Sequence, residues 1–283
     1  MKKYLGNFRN FLEDALLTRP FFILDSSYYD FKVKSPGDYN LLKKNGFLVL
    51  NNFIKKNELK TIQNDFNNYI SENKNIYIAK NKYIRLLSPF MISESFIKIA
   101  ANNELLSIIK SYFCKQCYVA DVDARRIFPD MQDMIPFESS ASWHKDCRGR
   151  QLKLMIYLTD VGEKDNYFSA IPGTHINNFW RAGYKRTRYL DSVIDNKYHD
   201  FFKWFGKAGD ACIFDTNIIH RLVRNKGANI RDSFTIYYTP GQELRELNLG
   251  MQKTKFTGNP IFDVPNKFLF RKRFAESIEN EEY

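Results

Sequence analysis

The stretch Ser142-Trp143-His144-Lys145-Asp146 decides how the rest of the chain reads. Its centre is a His-x-Asp pair. In a β-strand, residues two apart project from the same face, so the imidazole of His144 and the carboxylate of Asp146 would stand side by side. One more histidine from elsewhere makes a set of two imidazoles and a carboxylate. Such a set can occupy one face of an octahedral divalent ion such as iron and leave the opposite positions open. The triplet alone is weak, because a surface pair of hydrogen-bonded side chains has the same sequence. Its surroundings have to decide.

Downstream, Gly209-Asp210-Ala211-Cys212-Ile213-Phe214-Asp215 reads as a turn feeding a strand, and Thr216-Asn217-Ile218-Ile219-His220 follows it with a histidine. His220 is far from Asp146 in sequence, but a closed β fold readily brings such positions together. Arg231 then opens the run Arg231-Asp232-Ser233-Phe234-Thr235-Ile236-Tyr237-Tyr238. Arg231, Ser233 and Thr235 share one strand face. An arginine on an inward face is costly unless a fixed anion pairs with it. The planar guanidinium suits a carboxylate, and the Ser233 hydroxyl can add a hydrogen bond. Together with His144, Asp146 and His220, the pattern predicts a metal centre beside a buried anion site.

The texture around these residues is β-rich. Short apolar runs recur at Tyr118 to Ile127, Ala141 to Asp146, Leu152 to Thr159, Ala211 to Phe214, Ile218 to Val223 and Ser233 to Thr239. Turn residues separate them, as in Pro129-Asp130, Pro172-Gly173 and Gly206 to Asp210. Several short punctuated strands predict a sandwich or barrel. Helical spacing lies mostly earlier: a short helix at Tyr39 to Lys44, the turn pair Asn45-Gly46, a strand at Phe47 to Leu50, and a helix from Lys56 to Ser71 carrying Leu59, Ile62, Phe66 and Tyr69. Another helix is predicted over 94–113, and an amphipathic one around Phe8 to Leu17.

The expected architecture is mainly β with flanking helices, in one catalytic domain over residues 1–283. Residues 1–117 would form a mostly helical cover with an early strand, and 118–240 the β core with a lid-like insertion at 177–207. Residues 241–283 would be a C-terminal extension.

Composition narrows the function classes. The 283 residues carry 43 Lys and Arg against 32 Asp and Glu, a net charge of +11. The lysines are dispersed among asparagines, as in Asn73-Lys74-Asn75 and Lys80-Asn81-Lys82, which disfavours a dedicated nucleic-acid patch. Cys114 and Cys117 form a Cys-x-x-Cys with no second pair to complete a zinc site, so reduced thiols in a cytoplasmic protein are expected. The N-terminus lacks the apolar core of a signal peptide, and no apolar run is long enough to span a bilayer.

The order His-x-Asp, then Ile171-Pro172-Gly173-Thr174-His175, a Gly-Asp turn, His220 and Arg231 resembles the phytanoyl-CoA dioxygenase family over roughly residues 40–240. The opening Asn45-Gly46-Phe47-Leu48-Val49-Leu50 with its following helix is similar too. The resemblance implies a double-stranded β-helix of the jelly-roll, cupin-like kind. It also implies a non-haem Fe(II) enzyme that uses 2-oxoglutarate and dioxygen. The family's metal ligands fall on His144, Asp146 and His220, and its 2-oxoglutarate arginine on Arg231. His175 matches a structural element near the site and not a ligand.

Three departures from the family pattern are visible. Asn166-Tyr167 stands where Asn-Gly is frequent. Leu222 replaces a serine that often follows the distal histidine, so the co-substrate's far carboxylate would lean on Ser233. Arg126 lies near the place where the preceding strand supplies a polar contact to the co-substrate. Asp146 disfavours halogenation, because the related halogenases replace that carboxylate with a small residue.

The expected activity is hydroxylation, or another oxidation, of an unactivated C–H bond in a small, anionic metabolite or biosynthetic intermediate. The basic and aromatic segment 177–207 is either a plain cover or a lid gripping that anion. Candidate substrate contacts are Arg148, Arg150, Trp180 and Arg181. Two other readings stay open. One is an oxygenase acting on a macromolecule; Tyr237 stands where a second arginine would mark the nucleic-acid demethylase type. The other is a non-catalytic metal-binding β-barrel, which would show no 2-oxoglutarate turnover.

Overall fold

The computed structural model describes residues 36–72, 76–79, 83–86, 94–113, 117–129, 140–146, 151–175 and 187–239. In chain order the elements are α1 (Pro36–Asn45), β1 (Phe47–Leu50), α2 (Lys56–Ser71), β2 (Ile76–Ala79), β3 (Tyr83–Leu86), α3 (Glu94–Ala100), α4 (Asn103–Phe113), β4 (Tyr118–Ile127), β5 (Trp143–Lys145), β6 (Leu152–Tyr157), β7 (Tyr167–Ile171), β8 (Thr187–Tyr189), α5 (Asp191–Lys197), β9 (Phe202–Trp204), β10 (Ala211–Asp215), β11 (Ile219–Val223) and β12 (Arg231–Thr239).

The strands form two antiparallel sheets, a jelly-roll core with helices outside it. The larger has the order β1-β10-β6-β12-β4-β3-β2 and the smaller β8-β5-β11-β7-β9. Alternation along the strands dictates the layers. On β12, Phe234, Ile236 and Tyr238 join the cluster under the helices, while Arg231 and Ser233 are buried on the other face. On β6, Leu154 and Ile156 go to the helices, and Met155 and Tyr157 to the space between the sheets. The helices answer with Ile62 and Phe66 from α2, Phe96 from α3 and Leu105, Ile108 and Ile109 from α4. Phe96 stacks on Phe234 at 4.0 Å between centroids, and the Tyr238 hydroxyl donates to the Ala100 carbonyl at 2.9 Å. Burying each such side chain contributes about 2 kcal/mol.

Residues 94–113 fold as two helices and not one. The Asn102 side chain accepts from the Leu105 amide at 2.9 Å, an N-cap that starts α4 afresh. The first part of the basic segment, 176–186, lies outside the described residues, as do Phe8 to Leu17 and 241–283. From residue 187 onwards the segment is built into the smaller sheet. There β8 pairs with β5, β9 pairs with β7, and Ile194 of α5 packs on Trp143, Ile171 and Ile219. Residues 187–204 thus contribute two strands and a helix to the smaller sheet layer. Among the described residues, no helix is long and apolar enough to cross a membrane.

One junction explains why Asn45-Gly46 and Pro172-Gly173-Thr174-His175 occur together. The Gly173 amide donates to the Asn45 carbonyl at 2.8 Å, and His175 Nε2 donates to the Lys43 carbonyl at 3.1 Å. Gly46 ends α1 with φ +84°, and a Cβ there would stand 2.5 Å from His175 Nδ1. Gly46→Ala is expected to destabilise the protein by about 2–3 kcal/mol, combining left-handed strain with a displaced His175. Chemical denaturation checks this, and a change below about 0.5 kcal/mol would show that the junction tolerates a side chain.

Candidate active site

His144 on β5 and His220 on β11 are direct cross-strand partners, which brings two residues far apart in sequence onto one inner face. Each ring is held the same way. His144 Nδ1 contacts the Ser142 carbonyl at 2.7 Å, and His220 Nδ1 the Ile218 carbonyl at 2.9 Å. A carbonyl only accepts, so each Nδ1 carries the proton and each Nε2 presents a lone pair. Asp146, just past β5, lies between them. Its two oxygens are 3.2 Å from His144 Nε2 and 3.3 Å from His220 Nε2. Ligand atoms bound cis at about 2.1 Å to an octahedral ion lie about 3 Å apart, so these spacings fit one divalent ion. All three potential ligand atoms fall within 4.8 Å of one another. Phe168 and Phe214 flank the His220 ring and keep this side of the centre apolar.

Lys153 on β6 was not anticipated. Its ammonium pairs with Asp146 and lies 4.5 Å from the centroid of the Tyr237 ring. Burial pushes the Asp146 carboxyl up, but the Lys153 ammonium beside it opposes this, and the group is held well below its usual range. Asp146 is thus a carboxylate over the whole physiological range. The signal for Lys153 was available: counting by two along β6 puts Lys153, Met155 and Tyr157 on the inner face.

Arg231 opens β12 and is 4% exposed. Its guanidinium donates to the Asn166 carbonyl at 3.2 Å and to the weakly accepting Met155 sulfur at 3.1 Å, and it lies 5.1 Å from the Tyr157 ring centroid. Its Nε is enclosed without an acceptor, and no carboxylate pairs with it among the described residues. Burial lowers its pKa from the ordinary value; Tyr157 opposes this, and nearby Arg125 adds to the lowering. A charged group held at such cost is built for an incoming anion. Ser233 is buried two residues on, on the same face.

The structure corrects the expectation for Arg126. It faces the helices: its Nε and Nη2 donate to the two oxygens of Asp232 at 2.8 and 2.7 Å, Nη2 also reaches Asn67, and the guanidinium lies over Phe66. The period-two rule places its neighbour Arg125 inside instead. Arg126→Met should therefore leave 2-oxoglutarate affinity within about twofold while lowering stability by about 1–3 kcal/mol. A large loss of co-substrate affinity would show that Arg126 reaches the interior. Arg148, Arg150, Trp180 and Arg181 lie outside the described residues. Arg188, the register partner of His144 on β8, belongs to the same inner face.

The phytanoyl-CoA dioxygenase family matches residues 42–233, which include His144, Asp146, Lys153, His220, Arg231 and Ser233. No curated protein matches the chain. Among solved structures, HygX from Streptomyces hygroscopicus with nickel and 2-oxoglutarate bound is 14% identical, covering 72% of this chain and 86% of that one with a TM-score of 0.55. The non-heme alpha-ketoglutarate-dependent carbocyclase SnoK from nogalamycin biosynthesis is 15% identical, with coverages of 75% and 86% and a TM-score of 0.60. The epimerase SnoN in complex with Fe3+, alpha-ketoglutarate and nogalamycin RO is 12% identical, with coverages of 81% and 91% and a TM-score of 0.61. At these identities the likeness is one of fold.

Proposed function

The chain belongs to the phytanoyl-CoA dioxygenase family, whose cofactors are Fe(II), 2-oxoglutarate and dioxygen, and on that premise we propose that it oxidises an unactivated C–H bond of a small, anionic metabolite or biosynthetic intermediate. One observation carries the reading. Three convergent ligand side chains share an interior with a buried guanidinium whose Nε has no acceptor. That combination matches an ion and a dicarboxylate, and a purely structural metal site has no use for Arg231.

In this reading His144, Asp146 and His220 hold the iron through Nε2, a carboxylate oxygen and Nε2. Arg231 takes the distal carboxylate of 2-oxoglutarate, with Ser233 beside it. When bound, iron with 2-oxoglutarate and dioxygen supplies an oxidant strong enough to take hydrogen from a C–H bond. The chain's own work is geometric and electrostatic. The Nδ1–carbonyl bonds keep both imidazoles aimed at the centre. Lys153 orients Asp146 and keeps it ionised. Met155, Tyr157 and Phe168 exclude water from the interior.

The anionic substrate is supported by the cations on or near the inner face, Lys153 and Arg188 among them. Hydroxylation is the proposed outcome. Ring closure and epimerisation are the alternatives, since a carbocyclase and an epimerase share the fold. Succinate formation from 2-oxoglutarate tests the reading against a panel of small carboxylates and phosphates, their neutral esters, single-stranded nucleic acid and protein. We expect turnover stimulated by acidic small molecules and at least tenfold less by their esters. Stimulation by a macromolecule alone would overturn the substrate class, and product masses distinguish oxygen insertion from ring closure.

A further inference from the structure

Arg231 has a neighbour with the same defect. The side-chain Nδ2 of Asn166 is enclosed without an acceptor, as the Nε of Arg231 is. Asn166 is fully buried and stands directly before β7, two residues ahead of Phe168, whose ring lies against His220. Extending the period of two puts Asn166 on the inner face with Phe168. Its backbone carbonyl accepts from Arg231 Nη1 at 3.2 Å, so the two residues touch. Its side-chain oxygen accepts from the Asn225 amide at 3.0 Å. A backbone N–H only donates, which fixes the orientation of the side chain and leaves its NH2 as the unpartnered end. The position is firmly framed. The Asn225 side chain donates to the carbonyls of Glu163 and Asp165 at 2.9 and 2.7 Å, and Asp165 Oδ1 accepts from the backbone and side chain of Asn229, both at 2.9 Å. These bonds tie the loop before β7 to the loop before β12.

The Arg231 guanidinium is engaged unevenly. Nη1 is held by the Asn166 carbonyl, and Nη2 meets the Met155 sulfur at 3.1 Å. Nε and Nη2 form one edge of the planar group, an edge that takes a carboxylate side-on through two parallel N–H bonds. On that edge Nε has no acceptor, and Nη2 has only a thioether, a weak acceptor on a flexible chain that an anion displaces. A buried donor without a partner destabilises the empty chain, and here two such donors are neighbours in one interior.

We propose that Asn166 is a second binding residue for the anion that Arg231 takes, its Nδ2 donating to the distal carboxylate that the Nε–Nη2 edge of Arg231 holds. That the carboxylate belongs to 2-oxoglutarate rests on the oxygenase reading above; that these donors share one carboxylate does not. The amide adds a donor without adding charge. It comes from the smaller sheet and Arg231 from the larger, so the carboxylate is gripped from two walls. The pocket therefore selects a ligand that ends in a carboxylate over a keto acid of the same length that ends in a methyl group.

The test is calorimetry on the full chain loaded with Mn(II), titrated with 2-oxoglutarate and with 2-oxovalerate, the keto acid of equal length whose far end is a methyl group. Two variants separate the donor from the scaffold. Asn166→Asp keeps an oxygen for the Asn225 amide and loses the NH2, whereas Asn166→Leu loses both. Each should weaken 2-oxoglutarate about tenfold or more, as for a lost hydrogen bond to a charged group, with 2-oxovalerate within about twofold. A purely structural role moves both keto acids together or neither. Asn166→Asp decides if Asn166→Leu does not fold. A smaller loss in Asn166→Asp, or losses of equal size for the two keto acids, overturns the proposal and leaves Asn166 a scaffold residue. If wild type binds neither keto acid, glutarate is titrated into the metal-free chain. Glutarate binding that Asn166→Asp weakens keeps the two-walled carboxylate site and removes the oxygenase reading; no binding removes both.

Discussion

His144→Ala should abolish 2-oxoglutarate turnover while leaving the fold in place. The variant removes one of three ligands, and losing even an outer partner of a metal ligand typically costs 10- to 100-fold, so the loss of a ligand itself is expected to exceed about 100-fold. Fold loss should be modest. The imidazole faces the space between the sheets, beside the His220 ring, and the large apolar cluster lies on the other side of the main sheet. A penalty of about 1–2 kcal/mol, or a few degrees in Tm, is expected. Turnover within tenfold of wild type would remove His144 from the metal set.

Arg231→Met should raise the 2-oxoglutarate requirement by about 30- to 5,000-fold, because truncating one partner of a buried charge pair costs about 2–5 kcal/mol. Its effect on stability should have the opposite sign. Without co-substrate, Arg231 is a buried cation with no carboxylate partner among the described residues, and replacing it by an apolar chain of similar volume is neutral or stabilising. Wild type should gain Tm on adding 2-oxoglutarate, and Arg231→Met should start equal or higher and gain little. An unchanged 2-oxoglutarate requirement would mean that another group holds the distal carboxylate.

The parts of the molecule legible in sequence were those where a local rule and the tertiary role coincide. The strands at Phe47–Leu50 and Tyr118–Ile127 and the helix at Lys56–Ser71 follow from apolar periodicity and turn residues alone. The strand β7 was hidden because Tyr167–Ile171 is buried at every position, so no alternation marks it. Strands β8 and β9 are three residues each and exist through pairing with β5 and β7, a tertiary effect that composition does not carry. Likewise β3 owes its place to register with β4.

At the site, the convergence of His144, Asp146 and His220 was anticipated because their order is a pattern. Arg126 was placed wrongly because the phase of β4 was not counted. Arg231 pairs with Ile127, Ser233 with Arg125 and Asp232 with Arg126, so the face that holds Arg231 and Ser233 also holds Arg125. Lys153 belongs to no motif, and only the register between β6 and β12 brings it beside Tyr237.

The central claim is that one interior holds both an ion and 2-oxoglutarate, and a crystal structure grown anaerobically with Fe(II) and 2-oxoglutarate tests it directly. The account predicts anomalous density for one iron about 2.0–2.2 Å from His144 Nε2, His220 Nε2 and an Asp146 oxygen, with the distal carboxylate of 2-oxoglutarate within hydrogen-bond distance of Arg231. Iron bound elsewhere, or 2-oxoglutarate bound with Arg231 pointing away from it, would contradict the account.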